Sequence, residues 1–323
     1  MYPSAASASS RYRPVTSAWE RRRTPTRRSG DDVQPAAGGF GGHLPGPRPR
    51  LRHRFVRAPA SAGMEFEPRD RAAYLPAADA LVCADLHVGR DETSDIAFRL
   101  GEQEDLLERF AALCRRYEPR EVVVAGDLLH SFSGLPTGVV ETVRALESAA
   151  ADVGARFVVT PGNHDPMVAD LCEGPTPAAY RLDAGEGAAG KGDVVDIGDG
   201  TVVQAGDGDV DDPGETSIVV AHGHVRPAVD ADWYVVGHDH PTLSVEGLRR
   251  PCYLHGRGAG DAGVLMLPAF SRLPAGVAVN TMTAADFRSP LVEAADALRP
   301  VVRDGAADRT HEFPPLGECR PHL

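Results

Sequence analysis

This chain lacks three sequence patterns, and each absence argues against a class of protein or site. No run of 18 or more apolar residues occurs, so the sequence predicts no membrane-spanning helix. The five cysteines are an odd number and form no C-x-x-C pair, which argues against a disulfide framework and favours reduced thiols in a cytoplasmic protein. Residues 184–216 are rich in Asp and Gly but lack EF-hand spacing, so we interpret them as a solvated loop and not as a calcium site.

Lysine is nearly absent, since Lys191 is the only one among 323 residues, and the charge is unevenly distributed. Of 34 basic and 46 acidic residues, twelve arginines and three acids lie in residues 1–63. Residues 64–323 therefore keep 22 basic and 43 acidic side chains, a net charge of −21. An acidic, lysine-poor domain is typical of a halophilic protein adapted to molar salt. The charge also argues against an extended surface that tracks nucleic-acid phosphates, although molar salt weakens that electrostatic contribution anyway.

Residues 1–63 are rich in Arg, Pro, Gly and Ser and show no apolar periodicity, so the sequence predicts no structure for them. Three interpretations stay open: a basic arm that binds nucleic acid, a transit-like leader, or an upstream extension ahead of a natural start at Met64. We favour the third. The predicted organisation is a leader over residues 1–63 followed by one α/β domain over residues 64–323.

Apolar spacing predicts helices over residues 97–117 and 137–153, the second with Val140, Val143 and Leu146 facing inward. Residues 72–75 and 81–84 are predicted to form paired strands. Residues 252–255, 264–267 and 277–280 are predicted as strands of a second sheet. The predicted architecture is two β-sheets face to face with helices outside, a four-layer αββα sandwich.

Five short motifs carry every histidine between residues 85 and 240. They are Asp85-Leu86-His87, Gly126-Asp127-Leu128-Leu129-His130, Gly162-Asn163-His164-Asp165, His222-Gly223-His224 and Gly237-His238-Asp239-His240. Each follows a short apolar run of strand length, and open α/β sheets place their ligands at such strand ends. Any one motif alone would be an ordinary turn or strand end. Five in succession, with carboxylates, imidazoles and one amide, are what a two-metal hydrolytic site requires.

This ordered set resembles the calcineurin-like metallophosphoesterase superfamily, whose pattern is D-x-H, G-D-x-x-D/H, G-N-H-D/E, H-G-H and G-H-x-H. Flanking residues, among them Val88-Gly89, Pro241 and Leu267-Pro268-Ala269-Phe270, make the chain similar to the ligase-associated or archaeal branch of small phosphoesterases. The resemblance covers residues 64–320.

The resemblance implies a set of residues for two divalent metal ions. Asp85, His87, Asp127 and His240 would surround one ion, and Asp127, Asn163, His222 and His238 the other, so that Asp127 bridges. His164 would protonate the leaving oxygen, with Asp165 orienting it. His130 stands where an Asp is commoner, and both His130 and His224 could lie beside a ligand, contact phosphate or simply lie at the surface. Oxygen and nitrogen donors without thiolates suit Mn²⁺, with Fe, Zn or Co as alternatives.

Three functions are compatible with these residues. A nuclease or DNA-repair phosphodiesterase leads, because the resembled branch is associated with DNA ligase and helicase partners. The alternative is a phosphodiesterase or phosphomonoesterase that acts on nucleotides or other small phosphates. A non-catalytic interaction module is disfavoured, because all seven implied ligands and His164 are present.

Overall fold

Buried runs of β-branched residues form the parallel centre of the first sheet. The computed structural model describes residues 56–57, 64–90, 101–130, 137–182 and 216–323. The first sheet has six strands in chain order: β1 (Val56–Arg57), β2 (Glu65–Arg69), β3 (Ala72–Leu75), β4 (Ala80–Cys83), β5 (Glu121–Ala125) and β6 (Arg156–Thr160). Strands β3 and β4 form the predicted antiparallel pair, whereas β4, β5 and β6 are parallel. The carboxyl ends of the three parallel strands therefore meet at one edge.

The second sheet has nine strands, and its centre is again made of short apolar runs. They are β7 (Ala179–Leu182), β8 (Ile218–Ala221), β9 (Trp233–Val236), β10 (Pro241–Val245), β11 (Leu248–Arg257), β12 (Gly263–Met266), β13 (Val277–Ala278), β14 (Arg299–Asp304) and β15 (Arg309–Glu312). The main order is β13-β10-β11-β12-β9-β8-β7, and β14 adds to β11 and β15 to β14. Strands β8, β9 and β12 are parallel.

Alternate side chains of these strands enter different cores, because successive strand residues point to opposite faces. Val123 of β5 and Val235 of β9 pack into one cluster between the two sheets, together with Phe66 and Trp233. Both faces of each sheet are thus covered, which explains why the central strands read as continuous apolar runs rather than alternating ones.

Two helices cover the outer face of the first sheet. They are α1 (Glu102–Tyr117) and α2 (Thr137–Ala151), and they pack Phe110, Leu113, Val143 and Leu146 against it. The predicted helices are confirmed over these residues, although residues 97–100 lie outside the described part. The inward residue of the first turn of α2 is Val139 and not Val140, which is only partly buried. A four-residue helix, α3 (Val168–Leu171), follows β6.

The outer face of the second sheet is covered by short helical turns. They are the 3₁₀ helices at Val279–Thr281, Ala284–Asp286, Ala295–Ala297 and Arg320–His322, with the four-residue helix α4 (Leu316–Cys319). The predicted four-layer α/β architecture is confirmed, with this thinner layer as its fourth. The predicted strand over residues 277–280 is shorter than expected, because the chain turns into a 3₁₀ helix after Ala278.

Most of the predicted leader and of the predicted loop at 184–216 lies outside the described residues. Of residues 1–63 the structure describes Val56–Arg57, which form β1 against β2, so the predicted lack of structure is wrong for these two. Within the described ranges, no helix combines the length and the apolar character needed to cross a bilayer. All five cysteines are free thiols.

Candidate metal centre

The five motifs occupy loops that follow β4, β5, β6, β8 and β9, and their backbone is unusual. A positive φ, between 46° and 73°, is found at five of the seven candidate ligands: Asp85, His87, Asp127, His238 and His240. The left-handed region costs a residue with a side chain on the order of 1–3 kcal/mol, and it persists where the surrounding structure over-determines it. Eleven non-glycine residues in the described part have such a φ. Nearly half of them are therefore candidate ligands, which is the distribution expected of a functional site.

Hydrogen bonds hold the first two loops side by side beyond the ends of β4 and β5. The backbone N–H of Asp85 donates to the carbonyl of Gly126 at 3.0 Å. The N–H of His87 donates to the carbonyl of Asp127 at 2.9 Å. The parallel ladder thus continues into the motifs, so the rigid sheet fixes the separation of Asp85 and Asp127.

Asp165 attaches the third loop to the second. Its carboxylate accepts backbone hydrogen bonds from Gly162 at 2.9 Å, Leu128 at 3.1 Å and Leu129 at 2.7 Å. These hydrogen bonds give Asp165 a role in the backbone of the loops, and its orienting of the His164 ring stays a prediction. Asp165 is buried and therefore positions the two loops that carry Asp127 and the residues after Gly162.

Asp85, His87 and His240 form the first donor cluster. His240 Nε2 lies 3.1 Å from Asp85 Oδ1 and 3.3 Å from His87 Nε2. Burial lowers the pKa of His87 to about 3, so its imidazole is neutral. Burial raises the pKa of Asp85, but the adjacent histidines, His240 first, outweigh it and keep the carboxylate ionised. Donors about 2.0–2.2 Å from one metal lie roughly 3 Å apart, so the cluster fits a divalent cation.

The second cluster is arranged around the ring of His222. Its Nδ1 lies 3.3 Å from the carbonyl of Ala125, which can only accept, so Nδ1 carries the proton and Nε2 offers a lone pair. That Nε2 lies 3.0 Å from His238 Nδ1, 3.1 Å from Asn163 Oδ1 and 3.6 Å from Asp127 Oδ1. Burial lowers the pKa of His222 to about 4. His222 Nε2, His238 Nδ1 and the oxygens of Asn163 and Asp127 thus lie close enough to one another to surround a cation.

The two clusters each contain a carboxylate that could be shared. Asp85 lies near both, but its 3.8 Å approach to His222 is to Nδ1, which already donates to a backbone carbonyl. Asp127 approaches Nε2, the nitrogen with the free lone pair. This geometry favours Asp127 as the bridge. Burial raises the pKa of Asp127 to about 7, so cation binding there displaces a proton near neutral pH.

Three motif glycines leave the space that the donors occupy. A Cβ on Gly126 would overlap the ring of His222, and a Cβ on Gly237 would overlap the carboxylate of Asp85. A Cβ on Gly162 would overlap both the side chain and the backbone nitrogen of Asp127. Glycine is therefore required beside the ligands because each loop packs directly on a ligand of another loop.

We expect Gly162→Ala to weaken metal binding by at least about tenfold, since Asp127 must move to admit the new methyl group. Gly305→Ala is the matched control, because a Cβ there would meet only Asp70 Oδ1, at 3.8 Å. Metal titration of both variants by calorimetry tests this. Unchanged metal affinity in Gly162→Ala would contradict the close contact with Asp127.

The remaining candidate histidines lie at the margin of the centre. The side chain of His164 is 27% exposed, its Nε2 is 3.9 Å from Asp127 Oδ2, and its backbone N–H donates to Asp127 Oδ1 at 2.9 Å. His130 stacks on His164 with ring centroids 6.0 Å apart and an interplanar angle of 11°. The ring of His224 is exposed and its centroid is 5.2 Å from that of His222. The structure thus brings all the candidate residues together, with His130 and His224 outermost.

Sequence analysis missed two residues at this centre. Burial is the largest cause that lowers the pKa of His130, and the charge of the Arg90 guanidinium is the next largest. Arg90 therefore brings a positive charge close to the centre. Asp239 is buried, and its carboxylate accepts the backbone N–H groups of Arg288 and Ser289, each at 3.0 Å. Arg90 lies three positions after His87 and Asp239 lies inside the fifth motif, and this proximity in sequence is the available signal.

One family model and two solved structures are similar to this chain. The family model described as calcineurin-like phosphoesterase matches residues 79–242, which include every candidate ligand. The Pseudomonas putida nuclease MPE has 21% identity and a TM-score of 0.50, covering 80% of this chain and 100% of that one. Yfce, a phosphoesterase from E. coli, has 14% identity and a TM-score of 0.36 over 73% and 98%. A search of curated protein sequences gave no match. The chain belongs to the calcineurin-like phosphoesterase family, a family of metal-dependent phosphoester hydrolases.

Proposed function

We propose that the chain is a two-metal phosphodiesterase that cleaves nucleic-acid strands. The observation that carries the proposal is the pair of donor clusters, one around His240 and one around His222, each with an aspartate among its donors. Asp127 is proposed as the bridge between them, as the family resemblance implies. Oxygen and nitrogen donors without a thiolate favour Mn²⁺, with Fe, Zn or Co as alternatives.

Two cations held by these residues would supply charge neutralisation of the phosphate and a water acidic enough to act as a nucleophile at neutral pH. Asn163 offers a neutral oxygen, so the donors leave the centre positive enough to hold an anion. His164 is half-buried and beside Asp127, from where its ring can deliver a proton to the leaving oxygen. Burial lowers the pKa of His164, and a bound phosphate anion would counter that by favouring the imidazolium form.

A diester substrate is favoured over a monoester because the resembled branch is associated with DNA ligase and helicase partners. We also propose that the chain acts in the cytoplasm together with proteins of that kind. One solved structure with a similar fold, 21% identical to this chain, is described as a nuclease. A small phosphate substrate is the second candidate, favoured by the net charge of −21 over residues 64–323, which repels a polyanion at low salt.

In the deciding experiment, the purified chain is assayed with Mn²⁺ in high salt on three substrates. They are bis-p-nitrophenyl phosphate, p-nitrophenyl phosphate and single-stranded DNA. We expect turnover of the nitrophenyl diester and of DNA, and loss of both with a chelator. Turnover of the monoester alone would favour the second candidate. No turnover of any substrate with metals bound would favour an interaction module and overturn the proposal.

A further inference from the structure

A cleft of about 130 Å³ opens beside the candidate metal centre, and His240 belongs to both. Its other walls come from the β2–β3 turn, from β10 and β11, and from the segment before β13. Pockets that enclose a whole small molecule measure roughly 300–1,000 Å³. A cleft of this size therefore suits one chemical group of a larger substrate whose reacting part lies at the metal centre.

Two arginines give the cleft its charge. Arg71 donates hydrogen bonds to the backbone carbonyls of Ala269 and Ser271. Burial, followed by the nearby charges of other arginines, lowers the pKa of Arg71 to about 10, so it stays charged at neutral pH. Arg249 projects from β11 and is exposed. Among the described residues, neither arginine has a carboxylate within ion-pair distance.

Thr242 also lines this cleft. Thr242 is only 6% exposed, and its Oγ1 is buried without a hydrogen-bond partner in the described part of the chain. A buried hydroxyl normally has a partner. A substrate oxygen in the cleft would supply one.

Much of the remaining lining is proline, alanine and glycine, whose side chains carry no polar group. Pro241, Pro268 and Pro274 contribute walls that carry no backbone N–H. Gly276, with a φ of 67°, packs so closely that a Cβ would overlap both Thr242 and the carbonyl of His240. Arg71 and Arg249 are the cationic side chains of the lining, and together with Thr242 they suit an anion with several acceptor oxygens.

We propose that this cleft binds a second phosphate of the substrate, next to the phosphodiester hydrolysed at the metal centre. The inference rests on the proposed function, since it places the reacting phosphate at that centre. In a domain with 43 acidic and 22 basic residues, two arginines without acidic partners at one cleft mark a place where an anion is admitted. The second phosphate belongs either to a polynucleotide strand or to a short nucleotide that ends in a phosphate.

Arg249→Ala tests the proposal in the full chain, with Arg250→Ala as its matched control. Both arginines are exposed neighbours on β11, and adjacent strand residues point to opposite faces. The substrates are bis-p-nitrophenyl phosphate, which has one phosphate, the dinucleotide pTpT, and a thymidine oligonucleotide. We expect Arg249→Ala to lower kcat/KM by roughly 10- to 100-fold on the nucleotides, mainly through KM, with a far smaller effect on the nitrophenyl diester. Arg250→Ala should resemble the parent.

Equal losses on pTpT and on the oligonucleotide mean that the cleft accepts a phosphate from a short nucleotide or from a strand. A loss on the oligonucleotide alone means that the cleft accepts only a phosphate of a strand. Equal loss on the nitrophenyl diester, or no loss on any substrate, overturns the proposal. A second measurement separates it from the proposed function: equilibrium binding of pTpT to the metal-free protein. Weaker binding by Arg249→Ala and Thr242→Val supports the cleft even where no hydrolysis is found, and unchanged binding by both overturns it.

Discussion

Replacing Asp127 with asparagine is expected to remove both metal ions and to reduce diester hydrolysis on the order of 10³-fold or more. The carboxylate of Asp127 lies close to His222 Nε2 and to the ring of His164. The family resemblance also implies it as a ligand in the cluster of Asp85, His87 and His240. Asparagine keeps an oxygen that can accept the backbone N–H of His164, so the loop is held while the charge is lost. Metal ions contribute several kcal/mol of charge stabilisation, and each 1.4 kcal/mol is about a factor of ten.

Elemental analysis of the purified variant gives the number of metal ions per chain. Asp170→Asn is the control, because Asp170 is an exposed carboxylate on α3, just beyond the third motif. Asp85→Asn is the informative rival, since Asp85 also lies close to both clusters. If Asp127→Asn keeps one ion while Asp85→Asn keeps none, Asp85 is the bridge and the assignment is reversed.

The parts of this centre that the sequence predicts are those determined by local order along the chain. A run such as residues 122–125 is long enough for one buried strand, and the parallel pairing of β4, β5 and β6 then brings Asp85, Asp127 and Asn163 to the same edge. The pairing follows from burial on both faces, which needs no knowledge of distant residues. The family pattern supplies the rest, since it fixes which strand ends carry ligands.

The parts that the sequence does not predict depend on contacts between distant segments. Arg71 and Arg249 lie in different sheets, and the turn and strand that carry them meet only when the sandwich closes. The carboxylate of Asp165 is a second example, because two of the backbone groups that it binds lie more than thirty residues away in sequence. The left-handed backbone at Asp85 and Asp127 occurs where each carboxylate packs closely on a glycine of another loop, Gly237 and Gly162 respectively.

His164→Ala is expected to reduce cleavage of DNA by about 10²–10⁴-fold, the range of a general acid, while leaving metal content nearly unchanged. The structure separates the two roles of this residue: its backbone N–H bonds to Asp127, and its ring lies 3.9 Å from that carboxylate and is partly exposed. Alanine keeps the backbone contact and removes only the ring. His311→Ala, at an exposed position on β15, controls for the loss of an imidazole.

The dependence on the leaving group identifies what the ring of His164 does. A sugar alkoxide must be protonated as it leaves, so its expulsion needs an acid, whereas a nitrophenolate is stable as an anion and needs little help. His164→Ala should therefore lose far more activity on DNA than on bis-p-nitrophenyl phosphate, measured as kcat at saturating substrate with metal content checked in the same sample. Similar losses on both substrates, with both ions retained, would mean that the ring binds the phosphate and that the leaving oxygen takes its proton from another donor.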